Sequence, residues 1–229
     1  ENVVVNGLIL AEDGKKMSKS LKNYPDPQIV FDSAGADAIR LYMINSPVVR
    51  AEEFAFSEKG VREVASKVMG RLRNTMSLYK MYAGEIEHSS NTNSENVLDR
   101  WIIARLQELL EDVSNGLERY ELDRAARPIF DFVDDLSTWY IRRSRDRYKG
   151  DDNGDKKHAL STTRYVLETV SKIIAPFTPF VAEELWQDLR ETDSSLEESV
   201  HLAQWPELLK DNFDDTCLTD GKYIDVLDG

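Results

Sequence analysis

From Ser57 to Arg190 the apolar residues of this chain recur at steps of three and four, the spacing that lays them along one face of an α-helix. The first stripe is Val61, Val64, Val68, Leu72, Met76 and Tyr79; the second is Leu98, Ile102, Leu106, Leu109, Val113 and Leu117. A third runs Ala126, Ile129, Val133, Leu136 and Tyr140, with Pro128 expected in the first turn of its helix, where a missing N–H costs least. The fourth, Leu160, Thr163, Leu167, Val170 and Ile174, is stopped by Pro176. The fifth, Ala182, Leu185, Trp186 and Leu189, opens on Thr178-Pro179, which reads as an N-cap followed by proline at the first helical position. Between stripes, His88 to Asn96 reads as an exposed loop and Gly150 to Asp155 as a turn. Five amphipathic helices with short polar connections predict an antiparallel helical bundle. Each large stripe residue contributes about 1.5–3 kcal/mol on burial before entropy is subtracted, so this part has the core to fold by itself.

The stretch ahead of the bundle has a different texture. Asn2 to Leu10 is rich in Val, Ile and Leu around Asn6-Gly7 and predicts a strand or hairpin. Glu12-Asp13-Gly14 is a turn, with Gly14 free to take backbone angles closed to other residues and act as a hinge. It leads into Lys15-Lys16-Met17-Ser18-Lys19-Ser20-Leu21-Lys22, a mobile cationic loop. Pro25 and Pro27 then fix φ and push Tyr24 and Asp26 into extended conformations, so no helix runs through them. Gly35 to Asn45 predicts a buried helix that ends near Ser46-Pro47. The fold class expected is therefore mainly α, a helical bundle preceded by a short β and loop segment.

Charge and cysteine usage narrow the function classes. The net charge of -13 argues against nucleic acid if read globally, but 14 acidic against 3 basic residues fall between Glu183 and Gly229. The basic residues elsewhere are clustered, with five Arg or Lys and one Asp from Leu136 to Lys149, and an electrostatic footprint depends on the patch and not the sum. A single cysteine, Cys217, excludes an internal disulfide and a Cys-rich zinc site within these residues, and agrees with a reducing, cytoplasmic compartment. No apolar run long enough to span a membrane is present, and no membrane partner is expected. The chain opens on Glu1 in what reads as a strand, which points to a piece of a larger protein.

Lys16-Met17-Ser18-Lys19-Ser20 resembles the KMSKS signature of class I aminoacyl-tRNA synthetases. Its continuation Lys22-Asn23-Tyr24-Pro25-Asp26-Pro27, the run Gly35-Ala36-Asp37-Ala38-Ile39-Arg40 and the later Ser46-Pro47-Val48-Val49-Arg50 resemble the isoleucyl-tRNA synthetases in particular. So does Trp139-Tyr140-Ile141-Arg142-Arg143-Ser144-Arg145, similar to a run in that family's anticodon-binding domain, and Ser199 to Pro206 is similar to a segment that follows the bundle there. The likeness covers residues 1 to about 206. It implies three parts: 1–56, the end of a Rossmann catalytic domain with the loop and a connector; 57–190, the anticodon-binding bundle; and 191–229, an unassigned C-terminal extension. A valine–tRNA ligase piece, or a helical RNA-binding or interaction module without ligase activity, are the other readings.

The resemblance also implies roles. Lys19 would be the principal ATP contact and Lys16 the second cation, meeting negative charge that builds on the pyrophosphate leaving group. Ser18 and Ser20 would be loop hydrogen bonders and Met17 an anchor of the loop. Such chemistry needs positioning and electrostatics and no protein nucleophile. ATP and Mg2+ would serve the parent enzyme, with isoleucine and tRNA(Ile) as its other partners; no cofactor and no metal site is expected in this piece. Trp139, Arg142, Arg143 and Arg145 would contact tRNA, arginine forks suiting phosphates and aromatics suiting unpaired bases. The bland reading puts Trp139 and Tyr140 in the core and pairs the arginines with bundle acids. The family's other ATP motif, His-x-Gly-His, is missing, since His88, His158 and His201 lack that context, so this piece is expected to catalyse nothing alone. The adjacent acids Asp134-Asp135, Glu183-Glu184 and Asp214-Asp215 are expected on solvated faces, and the Gly35 to Arg40 run as packing without a site.

Overall fold

The computed structural model describes residues 3, 5–84 and 94–207. Most of the loop expected from His88 onwards, Cys217 and Asp214-Asp215 lie outside the described residues. Two short strands, β1 (Ile9–Leu10) and β2 (Phe54–Ala55), pair in parallel, Ile9 opposite Phe54. The hairpin expected around Asn6-Gly7 does not form: the Gly7 N–H is taken by the Val48 carbonyl at 2.7 Å, so the partner strand comes from beyond a crossover. That crossover holds α1 (Pro27–Ala34), α2 (Ala36–Ile44) and a 3-10 turn (Pro47–Arg50). Helix α1 escaped the sequence reading because the prolines were read as stops. Pro27 instead starts it, at the position where the lost N–H costs least, with the Asp26 carboxylate accepting from the Gln28 N–H.

The bundle follows. The first stripe becomes one continuous run of α3 (Glu58–Val64), a π-helical turn (Ala65–Gly70) and α4 (Arg71–Ala83). The second becomes α5 (Val97–Glu118), capped by the Asn96 side chain on the Leu98 N–H, so the end of the expected loop belongs to the helix. The third becomes α6 (Leu122–Asp134), a second π turn (Asp135–Tyr140), α7 (Ile141–Arg143) and α8 (Arg145–Lys149). The fourth and fifth are α9 (Asn153–Ile174) and α10 (Pro179–Arg190). Every residue of the first, third, fourth and fifth stripes is buried.

Three details depart from the sequence reading. Pro128 is the seventh residue of α6 and not in its first turn, because the helix starts early: Asp123 is buried against Arg50 at 2.6 Å, and Ala125 packs on Gly116 of α5 so closely that a Cβ there would lie 2.8 Å from it. Only glycine permits that approach. Thr178 does not cap α10; its hydroxyl donates to the Ile174 carbonyl, and the Val181 N–H goes to Asp37 Oδ2 of α2 at 2.7 Å. Next to it, Arg40 donates to the carbonyls of Pro176 and Phe177 at 3.2 and 3.3 Å. The Gly35 to Arg40 run is thus a polar joint that fastens the N-terminal part to the α9–α10 corner. Lastly, two of the acid pairs are not simply solvated. Asp134 pairs with Arg71, Asp135 with Arg105 at 2.9 Å and Glu184 with Arg73 at 2.7 Å, while Glu183 accepts from the Val200 N–H and the Ser199 hydroxyl. The chain after α10 turns back on the bundle, burying Val200 and setting the Trp205 indole N–H on Ser114 Oγ at 3.0 Å.

Candidate functional site

Two clusters of cations face solvent at different places. The first is the lysine loop. Its approach is a tight turn in which the Gly14 N–H donates to the Ala11 carbonyl at 2.8 Å, with Gly14 at φ 76. Residue 15 then returns alongside Ala11, and Lys16 bridges Leu10 in antiparallel fashion. The Lys15 backbone N–H, and then its ammonium, hold the Asp13 carboxyl below its ordinary range. Met17 is half-buried in a wholly apolar cavity of about 230 Å³ walled by Tyr24, Val30, Phe31, Ile39 and Met43. Its neighbour Ser18 is half-buried, its hydroxyl 2.8 Å from that of exposed Ser20. Lys16, Lys19 and Lys22 are exposed, and among the described residues none has a side-chain hydrogen-bond or ion-pair partner. Lys19 and Lys22 line one hollow of about 420 Å³ with Tyr24 and Asp26. Three uncompensated ammonium groups around a concave surface suit an anion with several charged oxygens.

The second cluster is the helix end from Trp139 to Lys149. Trp139 is half-buried and exposes part of its ring, over which the Arg143 guanidinium lies 3.9 Å from the centroid. Tyr140 is fully buried, its hydroxyl donating to Asp99 Oδ1 at 2.8 Å, and burial pushes its ionisation far up. The core reading therefore holds for Tyr140 and half for Trp139. Arg142 and Arg145 are exposed and carry no ion pair among the described residues, as does Lys149, so at three- and four-residue steps they form one solvent-facing row.

Arg147, which sequence spacing groups with this basic run, is instead spent inside the fold, with only 10% of its side chain exposed. Its guanidinium binds Asp99 through two bonds at 2.7 and 2.8 Å and Asp155 at 2.7 Å. Burial pulls the Arg147 charge down, but the bonds to Asp99 and Asp155 outweigh it and the net shift is upward. Asp155 is held low chiefly by that same guanidinium. Tyr148, buried and bonded to Thr163 Oγ1 at 2.8 Å, is pushed up to about 12 by that burial. Sequence reasoning missed this network. Its one legible sign was Asp99, an acid three residues ahead of Ile102 and so on the buried side of the second stripe.

The two clusters are not brought together. The start of α6 at Asp123 meets Arg50 near the N-terminal part, and Arg142 lies 19 residues further along the same helical run, roughly 30 Å at 1.5 Å per residue. No group of three His, Cys, Asp or Glu among the described residues could hold a metal ion, and no helix there is long and apolar enough to cross a membrane.

Comparison with known proteins agrees with both halves of this layout. Residues 1–55 match the family described as tRNA synthetases class I (I, L, M and V). Isoleucine–tRNA ligases are 47% identical over 214 residues in Chlamydia muridarum and 46% over 215 in Chlamydia trachomatis serovar D; each match takes in 91% of this chain and 20% of the relative. The chain thus spans about a fifth of the length of these curated relatives. In fold it resembles the synthetase of the Agrobacterium radiobacter LeuRS-tRNA-LeuAMS ternary complex, with TM-score 0.65 and 23% identity over 89% of this chain and 23% of that one. It also resembles the methionyl-tRNA synthetase of Mycobacterium tuberculosis in complex with methionyl-adenylate, with TM-score 0.61 and 19% identity over 84% of this chain and 40% of that one. Residues 99–227, more than half of the chain, match the anticodon-binding domain of tRNA ligases, and the chain belongs to that family.

Proposed function

We propose that this chain is part of an isoleucine–tRNA ligase of the cytoplasm, contributing the end of the catalytic domain (1–56), the anticodon-binding bundle (57–190) and an extension (191–229). The observation that carries the reading is the pairing, in one chain, of unpartnered Lys16 and Lys19 on an anchored loop with the unpartnered Arg142 and Arg145 row on the bundle. The names of the relatives support isoleucine over valine, leucine or methionine.

In the intact enzyme the isoleucine carboxylate attacks the α-phosphate of ATP, forming the acyl–phosphate bond and releasing pyrophosphate. Lys19, with Lys16 beside it, meets the charge that gathers on that leaving group, while Met17 seats the loop and Ser18 and Ser20 brace each other. A full charge about 4 Å away at an effective dielectric of 20 interacts by about 4 kcal/mol, enough to set the rate. Mg2+ would arrive on the nucleotide's phosphates, which it prefers to all-protein cages. Arg142, Arg143 and Arg145 take phosphates of tRNA(Ile), and Trp139 offers a ring already stacked by Arg143.

The test is isoleucine-dependent ATP–pyrophosphate exchange by the full-length protein, with the wild-type loop and with Lys19→Ala. Loss of exchange on substitution, in a protein that still melts normally, supports the reading. Equal exchange removes the loop from the chemistry.

A further inference from the structure

The lysine loop is too short to carry regular secondary structure and too exposed to be held by a core, yet the backbone on either side of Met17 is tied down by one side chain. Asn23 Oδ1 accepts from the Ser18 N–H at 2.8 Å, and Asn23 Nδ2 donates to the Lys16 carbonyl at 3.0 Å. Those partners fix the amide's orientation, since a backbone N–H must meet the oxygen and a carbonyl must meet the nitrogen. An aspartate would have no donor for Lys16. The same bonds require the chain to double back between Ser20 and Asn23, and it does so with Lys22 at φ 47, a left-handed conformation uncommon for a residue with a Cβ. Met17, between the two tied residues, is thereby held over its apolar cavity, and Lys16 and Lys19 are held on either side of it.

We propose that Asn23 is the positioning residue of the lysine loop: its amide holds Lys16 and Ser18 in the conformation in which the loop's ammonium groups meet the polyphosphate. This rests on the reading of the loop given above. Asn23 need not touch the nucleotide; it acts through the backbone it holds.

The experiment has two arms. In the 229-residue chain, Asn23→Ala accelerates hydrogen exchange of the Ser18 amide, read by NMR, by about tenfold, as loss of its acceptor requires, while Asn23→Asp leaves that amide protected. In the intact ligase, Asn23→Ala lowers kcat for ATP–pyrophosphate exchange by about tenfold with KM for isoleucine unchanged, a split that general destabilisation would not produce. An unchanged Ser18 amide overturns the proposal. So does a faster amide with wild-type exchange kinetics while Lys19→Ala is slow, and in that case the loop's catalytic role survives alone. If Lys19→Ala and Asn23→Ala are both silent, the catalytic reading of the loop falls and this inference falls with it.

Discussion

Arg147 holds Asp99 with both prongs of its guanidinium, Nη1 to Oδ1 at 2.7 Å and Nη2 to Oδ2 at 2.8 Å, across 48 residues of chain. The carboxylate has no exposure to solvent and also accepts from Tyr140 and Ser94 at 2.8 and 2.6 Å. A buried carboxylate satisfied by three donors fixes where the last turns after the second π segment lie against α5 and α9. Asp99→Ala strands an arginine largely withdrawn from water and is expected to destabilise the chain by about 3–5 kcal/mol in urea unfolding. Replacing both partners, Asp99→Leu with Arg147→Met, should recover much of that loss, because apolar groups of similar volume leave no buried charge.

Neighbouring arginines should respond quite differently. Arg142→Gln with Arg145→Gln removes two solvent-facing charges that hold nothing in the fold, so melting should move little. Affinity for tRNA(Ile) should fall, and the slope of log K against log salt should drop by about 0.7–0.9 for each phosphate left without its arginine. Filter binding at several salt concentrations checks this. Unchanged affinity and slope would return the row to ordinary surface.

Lys19→Ala in the full-length ligase is expected to slow adenylate formation by about 10²–10³, the usual loss when one group that stabilises developing charge is removed. Lys15→Ala, whose ammonium already pairs with Asp13 at 3.4 Å on the surface, should change it far less. Pre-steady-state adenylate formation separates the two.

At the joint, Asp37 accepts the Val181 N–H and its pKa is raised by burial, against the lowering effect of the backbone donors. Asp37→Ala should cost about 1–2 kcal/mol, as loss of a helix cap does, whereas Asp37→Asn keeps an acceptor and sheds the buried charge, so it should cost less. Chemical denaturation of the two variants decides.

The pH dependence of stability has opposite signs at two acids. Asp155, held low by Arg147, releases its proton more readily folded than unfolded. Its contribution is full above the ordinary carboxylate pKa near about 4 and is lost as pH falls through the depressed value. Asp37, raised by burial, binds its proton more tightly when folded, so its contribution declines as pH rises from about 4 through the raised value. Asp155→Asn should therefore flatten the acid limb of the urea midpoint against pH, and Asp37→Asn should lift the midpoint just above that limb.

The helices were legible because a stripe of five or six apolar residues has a period, and Val61 to Tyr79 or Ala126 to Tyr140 could be placed on one face from residue spacing alone. Strand β1 was not, since two residues have no period and its register is set by Phe54 across the crossover. Of the site, Lys16 to Ser20 could be recognised by residue type and spacing. The fates of Arg142 and Arg147 could not, because the difference between them is made by Asp99 and Asp155 on other helices. Pro128 misled for a related reason: the early start of α6 is fixed by Arg50 and Gly116, both remote in sequence.

The π turn at Asp135–Tyr140 has a consequence for inheritance as well as for shape. A widened turn holds one residue more than an α-helix would, so excising a single codon there lets the helix close up and rotates everything beyond it by about 100°. Arg142 and Arg145 would then swing off their outward bearing and Arg147 out of reach of Asp99. A one-residue deletion at this spot should thus do more harm than any single substitution within it.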